Sequence, residues 1–358
     1  MDAIKNFIDL FADPRLFFVT SVVALVLIVW KREAFASDAW GWGLMAFLAV
    51  FFGFGLTDEN FSLIIGKPDN VPIVGLIFLL VFFTWFSMRE GVRNDRRIAA
   101  GQPPIEKDEE GRVWTWPDLV YTELIAMVIC TVVLIIWSIV LQAPLEQPAN
   151  SANTPNPSKA PWYFLGLQEM LVYFDPGLAG VVLPSLIIVG LMAIPYIDKN
   201  PKGNGYYTFN ERKAEITLFL FGFVVLWSSL IVLGTFLRGP NWNFFGPFEY
   251  WDIHKLEALT NVQLSDVIWV QALGMALPEH WFIREIFGIA LTLFYVGVLP
   301  VALAKKGLTK YYEKLGPVRY YVTVMLFLSM LSLPVKMLAR WVFNLKYIVS
   351  IPELFLNI

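Results

Sequence analysis

Residues Leu119 to Leu141 read LVYTELIAMVICTVVLIIWSIVL, and Glu123 is the one charged residue in this run of 23. A helix that crosses the hydrocarbon core of a bilayer needs about 20 mostly apolar residues, so this run predicts a transmembrane helix. Seven further runs share its character, at residues 16–30, 40–57, 72–88, 178–197, 216–237, 285–304 and 320–343. The sequence therefore predicts an all-α integral membrane protein with about eight transmembrane helices.

The composition of the whole chain supports this fold class. Hydrophobic residues make up 57% of the 358 positions and charged residues 16%, whereas soluble domains average about 45–50% and about 25%. The formal net charge is −3 and no basic block is longer than a loop. The clustered positive surface that nucleic-acid binding requires is therefore not expected.

The cysteine content and the N-terminal residues further limit the cofactor sites and the targeting segments that this chain can have. Cys130 is the single cysteine, so neither an internal disulfide nor a CxxC or CxxCH motif can form, and we expect no metal site or covalently attached haem in this chain. Residues 1–14 lack the basic region and cleavage site of a signal peptide. We expect the first hydrophobic run to be retained as a membrane helix.

The distribution of basic residues predicts the orientation in the membrane. Six, four and five Lys or Arg residues lie in the loops 89–118, 198–215 and 305–319. Only one, one and three lie in the loops 58–71, 142–177 and 238–284. Because short cytoplasmic loops collect Lys and Arg, the first set is predicted inside and the second outside. Alternation then places both termini on the outer side, in what we expect to be a bacterial inner (cytoplasmic) membrane.

The segments between the spans predict the remaining architecture. Residues 1–112 comprise three N-terminal helices and a charged inner loop, and residues 285–358 contain two C-terminal helices. Residues 143–160 are rich in Pro, Asn, Ala and Ser, which predicts an irregular strap. Within the outer segment 241–284, the apolar spacing over residues 252–275 predicts an amphipathic helix on the outer surface.

A proline-rich gap between two hydrophobic runs carries the clearest functional signal. Residues Pro155 to Glu169 read PNPSKAPWYFLGLQE. An aromatic pair directly follows a proline and opens an apolar helical stretch that carries one carboxylate. This combination is what a quinone-binding loop at a membrane surface needs, so we predict such a loop here.

From Val113 to about Pro240 the chain resembles the C-terminal half of cytochrome b. This half stands alone as subunit IV in cytochrome b6f complexes and in split cytochrome bc complexes. Four local matches come in the family's order: Trp116-Pro117-Asp118-Leu-Val-Tyr121, Ala160-Pro161-Trp162-Tyr163-Phe164, Ile194-Pro195-Tyr196-Ile-Asp198 and Leu218-Phe-Leu-Phe221-Gly222. The central three helices are accordingly expected to resemble the C-terminal helices of cytochrome b.

The resemblance implies that the loop 143–177 forms part of a quinol-oxidation pocket. In the family this pocket lies on the outer, proton-releasing side of the membrane, beside the low-potential b haem and the docking site of a Rieske iron–sulfur protein. The charge distribution places the same loop outside. The candidate residues for the pocket are Pro161, Trp162, Tyr163, Phe164 and Leu167.

The motif departs from the family at the residue that is thought to accept a quinol proton. The family carries Pro-Glu-Trp-Tyr, whereas this chain has Ala160 and Pro161 before Trp162. Glu169 is the nearest carboxylate that follows, and on a continuous helix it lies two turns along the face of Trp162. Glu169 is the candidate proton acceptor, and the alternative is an interfacial glutamate bonded to backbone or water.

The resemblance also suggests an inner quinone site at the edge of the high-potential haem. Asp118, Glu123 and Arg212 lie near where the family reduces quinone. A carboxylate there assists proton uptake, and a guanidinium can hold a haem propionate or a quinone carbonyl. Other interpretations stay open, because Asp118 can cap its helix and Arg212 can be a topology charge.

The histidine content decides where the haems are expected. The family binds its two b haems through paired histidines, whereas this chain has only His254 and His280, both in the predicted outer segment. We interpret both as ordinary loop residues and expect the haems on a separate, b6-like cytochrome b N-terminal subunit. The iron–sulfur cluster is expected on the Rieske protein, with a c-type cytochrome and membrane lipid as further partners in a dimeric complex.

The leading interpretation is a haem-free subunit of a quinol:cytochrome c oxidoreductase that is inactive alone and binds quinol or quinone at a subunit interface. It would serve respiratory or photosynthetic electron transfer from quinol to the Rieske protein and the b haems, coupled to proton translocation. A scaffold subunit with an inactive outer quinone pocket is the alternative. A transporter is disfavoured, because no pair of short, Gly/Pro-broken spans indicates an inverted repeat.

Overall fold

The computed structural model describes residues 2–108, 111, 113–143, 145, 148–200, 206–257, 260–354 and 356–358. The helices before the proline-rich gap are α1 (Asp2–Phe11), α2 (Pro14–Trp30), α3 (Arg32–Phe35), α4 (Asp38–Gly55), α5 (Glu59–Ile65), α6 (Val71–Ala99), α7 (Ile105–Asp108) and α8 (Thr115–Val140). The later helices are α9 (Trp162–Met170), α10 (Leu178–Ile197), α11 (Lys213–Leu237), α12 (Asp266–Ala272), α13 (Trp281–Arg284), α14 (Ile286–Lys305), α15 (Thr309–Leu315) and α16 (Pro317–Phe343).

Short strands and turns of 3-10 helix complete the described structure. The strands are β1 (Val262–Gln263), β2 (Leu345–Tyr347), β3 (Ser350–Ile351) and β4 (Leu356–Asn357). Strands β1 and β2 pair in parallel, and β3 and β4 pair antiparallel. The 3-10 turns are Pro240–Trp242 and Pro352–Leu354.

The predicted membrane spans correspond to helices of the structure. Within the described residues, seven helices are long and apolar enough to cross a membrane, namely α4, α6, α8, α10, α11, α14 and α16. The eighth predicted run, residues 16–30, is helix α2, which has 17 residues and meets α1 at a bend of 77°. The expected multi-pass helical fold is confirmed, with seven spans or with eight if α1 and α2 form one span.

The chain divides into two compact units. The first unit comprises Met1–Tyr163 and Asn204–Lys255, and the second comprises Phe164–Gly203 and Leu256–Ile358. The core of the first unit is an apolar cluster that α5, α11 and the segment after α11 share. In it the rings of Phe61 and Phe248 stack with centroids 5.1 Å apart, and Leu233 is fully buried.

Helices α4 and α6 of the first unit pack closely at a glycine. Gly41 faces the indole ring of Trp85, and a Cβ at residue 41 would overlap that ring. Trp85 is 4% exposed, and its Nε1 donates a hydrogen bond to the carbonyl oxygen of Ser37 over 3.1 Å. The missing side chain at Gly41 therefore sets the distance at which these two helices pack.

The core of the second unit joins α14 and α16 through one buried and one half-buried tyrosine. Tyr320 is fully buried, and its hydroxyl donates to the carbonyl oxygen of Pro300 over 3.1 Å. The hydroxyl of Tyr295 donates to the carbonyl oxygen of Leu328 over 2.7 Å. These bonds satisfy tyrosine hydroxyls inside an otherwise apolar cluster, where an unpaired hydroxyl would be costly.

The predicted amphipathic helix over residues 252–275 is wrong in its extent, because among the described residues of this range only α12 (Asp266–Ala272) and a short lead into it are helical. Nδ2 of Asn241 donates to the carbonyl oxygen of Ile253 over 3.0 Å, and Nδ2 of Asn243 donates to that of Lys255 over 2.5 Å. Asparagine amides therefore take the carbonyl groups that a helix would use, and such bonds compete with helix formation. Residues 258 and 259 of the predicted helix lie outside the described residues.

The charged loop predicted from residue 89 is helical at its start, since α6 continues to Ala99. Ion pairs hold the arginines of this extension, with Arg89 Nε 2.8 Å from Asp38 Oδ1 and Arg96 Nη2 2.5 Å from Glu33 Oε2. By contrast, the described residues between α8 and α9 form no helix or strand, as predicted for the strap 143–160.

Candidate functional site

The strap before α9 is anchored by two polar contacts within the first unit. Nδ2 of Asn156 donates to Oδ1 of Asn241 over 2.9 Å, and the N–H of Asn241 donates to Oδ1 of Asn156 over 2.7 Å. Nζ of Lys159 donates to the carbonyl oxygen of Thr235 over 2.8 Å and lies 4.8 Å from the ring centroid of Trp251. The residues that lead into the aromatic motif are thus fixed although they lack regular structure.

The aromatic motif begins helix α9, as its position after Pro161 predicts. Trp162 packs, half-buried, against the apolar cluster of the first unit, and its ring meets that of Tyr163 edge-on with centroids 5.8 Å apart. Tyr163 and Phe164 are 54% and 52% exposed, and Leu167 is half-buried. The structure therefore presents two aromatic rings outward from a helix whose first residue is anchored.

The other end of α9 carries a buried carboxylate in the second unit. Glu169 is fully buried, and so is Tyr173, whose hydroxyl donates to Oε1 of Glu169 over 3.1 Å. Leu165 lies one turn before Glu169 and is 3% exposed, so residues spaced by four form one buried face. The continuous helix expected from Trp162 to Glu169 is confirmed.

Helix α9 has nine residues, with two exposed aromatic rings near its start and a buried acid near its end. Exposed aromatic faces and edges suit the packing of a planar ring. A carboxylate buried inside a membrane protein is a candidate for a functional site, because its burial is costly. Such a group can exchange protons if the donor comes within hydrogen-bond reach, directly or through one water.

Lys346 contacts the turn after α9 and was not singled out by sequence reasoning. Its Nζ donates to the carbonyl oxygens of Leu171 and Val172 over 2.8 and 2.9 Å. Burial lowers the pKa of the Lys346 ammonium below its ordinary value, the charge of Arg340 lowers it further, and Asp175 acts in the opposite direction. Lys346 is 175 residues from Leu171 in sequence, so no local pattern indicates this contact.

The candidate residues of the inner site have different surroundings. Asp118 and Glu123 are both exposed on α8. Arg212 directly precedes α11, and its Nη1 lies 3.3 Å from Oε1 of Glu215. The ion pair agrees with an ordinary surface role for Arg212, and the grouping of Asp118, Glu123 and Arg212 at one inner site stays a prediction.

The loop before Arg212 is held by the end of α6, in the first unit. Asn94 is fully buried, and its Nδ2 donates to the carbonyl oxygen of Tyr207 over 2.9 Å. The N–H of Asn210 donates to Oδ2 of Asp95 over 3.0 Å. Sequence reasoning treated this part of α6 as a charged loop and therefore missed these two contacts.

The histidines do not fit paired ligation of b haems. Nδ1 of His280 accepts a hydrogen bond from the N–H of Phe282 over 3.3 Å and so caps α13, whereas His254 is exposed in a turn. Both lie outside the helices that are long enough to span a membrane. Among the residues that the structure describes, no group of three or more His, Cys, Asp or Glu could hold a metal ion.

Comparison with known proteins identifies the central region. Residues 148–246 match the family model described as Cytochrome b(C-terminal)/b6/petD. No solved structure matches the chain. The matched range contains α9, α10 and α11, and with them Trp162, Glu169 and Arg212. It begins at residue 148 rather than at Val113, so the resemblance of Trp116–Tyr121 stays a prediction. The chain is a multi-pass membrane protein, and its residues 148–246 are similar to the family described as Cytochrome b(C-terminal)/b6/petD.

Proposed function

We propose that this chain is the haem-free, subunit IV-like half of a split cytochrome b and that it contributes part of a quinol-oxidation pocket. In this proposal Pro161, Trp162, Tyr163, Phe164 and Leu167 line the pocket. The loop faces the outer side of a bacterial inner membrane, and both termini lie on that side. The chain works only in a complex with a haem-carrying b6-like subunit, a Rieske protein and a c-type cytochrome.

The single observation that carries the proposal is the construction of α9. Tyr163 and Phe164 are about half exposed, although Trp162 beside them packs into an apolar cluster. Outward apolar rings are common on the spans of this chain, but here they occur on the helix that also holds the buried Glu169. The outward rings leave a surface that a quinol ring or a partner subunit can cover.

Glu169 supplies the proton chemistry in this proposal. Oxidation of one quinol to quinone releases two electrons and two protons, and each proton needs an acceptor near the ring. Glu169 would accept one proton, and the other would pass to an acceptor on a partner chain or to water. Pro161 occupies the position of the family's glutamate and has no titratable group. The buried carboxylate of Glu169 accepts the proton, directly or through a water, and Tyr173 holds Oε1 in place. The b haems and the iron–sulfur cluster of the partner chains would supply the two electron acceptors.

The proposal includes a second quinone site on the inner side. Asp118 and Glu123 would assist proton uptake during quinone reduction, and Arg212 would hold a propionate or a carbonyl oxygen. The exposure of both carboxylates on α8 agrees with such a role, since another chain could approach them. Arg212→Gln should then impair quinone reduction, while Glu215→Gln, which breaks only the ion pair, should not.

The test measures quinol:cytochrome c turnover of the purified complex with Tyr163→Ala and Phe164→Ala. Both rings are exposed, so their loss should leave folding intact while turnover falls on the order of 10-fold, because the quinol ring loses its packing surface. Tyr250→Ala is the control, since Tyr250 is an exposed aromatic residue of the first unit that lies outside the proposed pocket. An optical spectrum of the same preparation should show b-type haem bands, and their intensity should depend on the presence of a separate, co-purified chain.

A scaffold role with the same fold and partners is the second candidate. Its support is Pro161, because the substitution removes the family's acid from the motif. In that case the complex assembles, but the outer pocket does not turn over quinol. Unchanged turnover in both Tyr163→Ala and Phe164→Ala would favour the scaffold.

A further inference from the structure

The turn that follows α9 is held by residues far beyond the matched domain. The ammonium of Lys346 donates to the carbonyl oxygens of Leu171 and Val172, at 2.8 and 2.9 Å. The last carbonyl groups of a helix have no partner within the helix. A lysine at this end satisfies them and interacts favourably with the helix dipole. We call the contact of Lys346 with Leu171 and Val172 the lysine clamp.

The backbone of Lys346 is itself fixed by the end of α16. Lys336 is 2% exposed, and its Nζ donates to the carbonyl oxygen of Lys346 over 2.7 Å. Nη1 of Arg340 donates to the carbonyl oxygens of Asn344 and Thr260, at 3.1 and 3.3 Å. Burying two cations is costly unless they find partners, and here the partners are backbone carbonyl groups of strand β2 and of the residues beside it.

A packing contact and a strand pairing complete the support. The rings of Tyr173 and Trp341 meet edge-on with centroids 5.9 Å apart. Strand β2 pairs with β1, with Val262 opposite Leu345. Tyr173 is the residue whose hydroxyl donates to Glu169. The C-terminal part of the chain therefore contacts both the turn after Glu169 and the tyrosine that bonds its carboxylate.

We propose that Lys346 is a positioning residue for Glu169 and that the C-terminal segment from α16 to β2 is a built-in support of the candidate proton acceptor. This inference rests on the proposed role of Glu169 in quinol oxidation. The matched domain ends at residue 246, so the support comes from a part of the chain that the domain match does not cover. Loss of the lysine clamp would let the turn move and would displace the carboxylate from the reacting proton.

The experiment compares Lys346→Met, Lys346→Arg and Lys310→Met in the purified complex. Methionine keeps the length of the side chain but removes the donors, while arginine keeps donors that can reach two carbonyl oxygens. Lys310 is an exposed lysine of α15 and serves as the control. The two readouts are amide hydrogen exchange of residues 171–174 and the pH profile of quinol turnover.

In Lys346→Met, the amide hydrogens of residues 171–174 should exchange faster than in the wild-type protein. Quinol turnover should fall on the order of 10-fold and its pH profile should shift, because small displacements of a catalytic group are costly. Lys346→Arg should restore most of the turnover. In a Glu169→Gln background, Lys346→Met should cause no further loss, since it acts through Glu169. The inference would be overturned if amide exchange in Lys346→Met equalled that of the wild-type protein. It would also be overturned if the turnover loss of Lys346→Met added fully to the loss caused by Glu169→Gln. Wild-type turnover in Glu169→Gln alone would instead remove the proposed role of Glu169, and this inference with it.

Discussion

The hydroxyl of Tyr173 lies 3.1 Å from Oε1 of Glu169, and both side chains are fully buried. A hydrogen bond to a buried carboxyl group is worth more than one at the surface, because water cannot replace the lost partner. The pair therefore links the stability of the second unit to the geometry of the candidate proton acceptor. Removal of the Tyr173 hydroxyl therefore tests its effect on stability and its effect on the position of the Glu169 carboxylate.

Tyr173→Phe should lower the free energy of unfolding by about 1–3 kcal/mol, since the buried carboxyl group of Glu169 loses one hydrogen bond. Turnover should fall on the order of 10-fold, because the carboxylate loses its orientation. Tyr295→Phe is the matched control, as it removes a tyrosine hydroxyl that bonds the carbonyl oxygen of Leu328 in the same unit. It should cost stability but not turnover. Thermal unfolding and quinol turnover of the two variants separate these effects, and equal turnover losses would contradict the account.

The contact of Gly41 with Trp85 predicts a stability effect in the N-terminal helices. Gly41→Ala should destabilise the protein by about 1–3 kcal/mol, because the added methyl group overlaps a buried indole ring. Gly43→Ala is the control on the same helix, where a Cβ meets nothing within 4 Å. It should be neutral or stabilising by about 0.5–1 kcal/mol through helix propensity. Unfolding of both variants in detergent checks the pair, and equal stability of the two would refute this packing.

The fold could be predicted largely because the bilayer fixes the length of its helices. The run 178–197 coincides with α10, and the run 119–141 overlaps α8 up to Val140, since about 20 apolar residues are needed per span. The helix predicted over 252–275 was wrong because apolar spacing says nothing about competing side chains. There Asn241 and Asn243 take carbonyl groups of residues 253 and 255.

The candidate site could be predicted in its local part only. Glu169 and Tyr173 are four residues apart, a spacing that brings side chains together on a helix, so their pairing was open to sequence reasoning. The lysine clamp was not, because Lys346 lies on strand β2 and is 175 residues from Leu171 in sequence. Likewise, the contact of Asn94 with Tyr207 joins residues 113 apart in sequence. Tertiary contacts of this kind have no periodic signal.

The ion pair between Lys5 and Asp58 predicts a pH dependence of stability. Nζ of Lys5 lies 2.5 Å from Oδ2 of Asp58. Burial alone would raise the pKa of Asp58, but hydrogen bonds from Lys5 and from the N–H of Phe61 outweigh it and lower the pKa below 3.8. The folded protein then holds the charged form more strongly than the unfolded chain does. The resulting stabilisation is present above the unfolded pKa and is lost as the pH falls through the folded pKa.

Asp58→Asn should therefore destabilise the protein by about 1 kcal/mol near neutral pH, while the asparagine keeps the helix cap of α5. The difference from the wild-type protein should shrink in acid, as Asp58 becomes protonated in both states. Unfolding midpoints across the acidic range, with Lys5→Met and the double variant to isolate the pair, provide the measurement. A difference that stays constant with pH would show that the charge of Asp58 plays no part.

The most direct test of the account is the turnover of the purified complex with Glu169→Gln. Glutamine keeps the shape of the side chain and can still accept a hydrogen bond from Tyr173, but it cannot take a proton from quinol. Glu279→Gln is the control, since Glu279 is exposed in the loop before α13. The account predicts a fall in quinol:cytochrome c turnover on the order of 100-fold for Glu169→Gln and none for Glu279→Gln. Wild-type turnover in Glu169→Gln, in a complex that assembles normally, would contradict it.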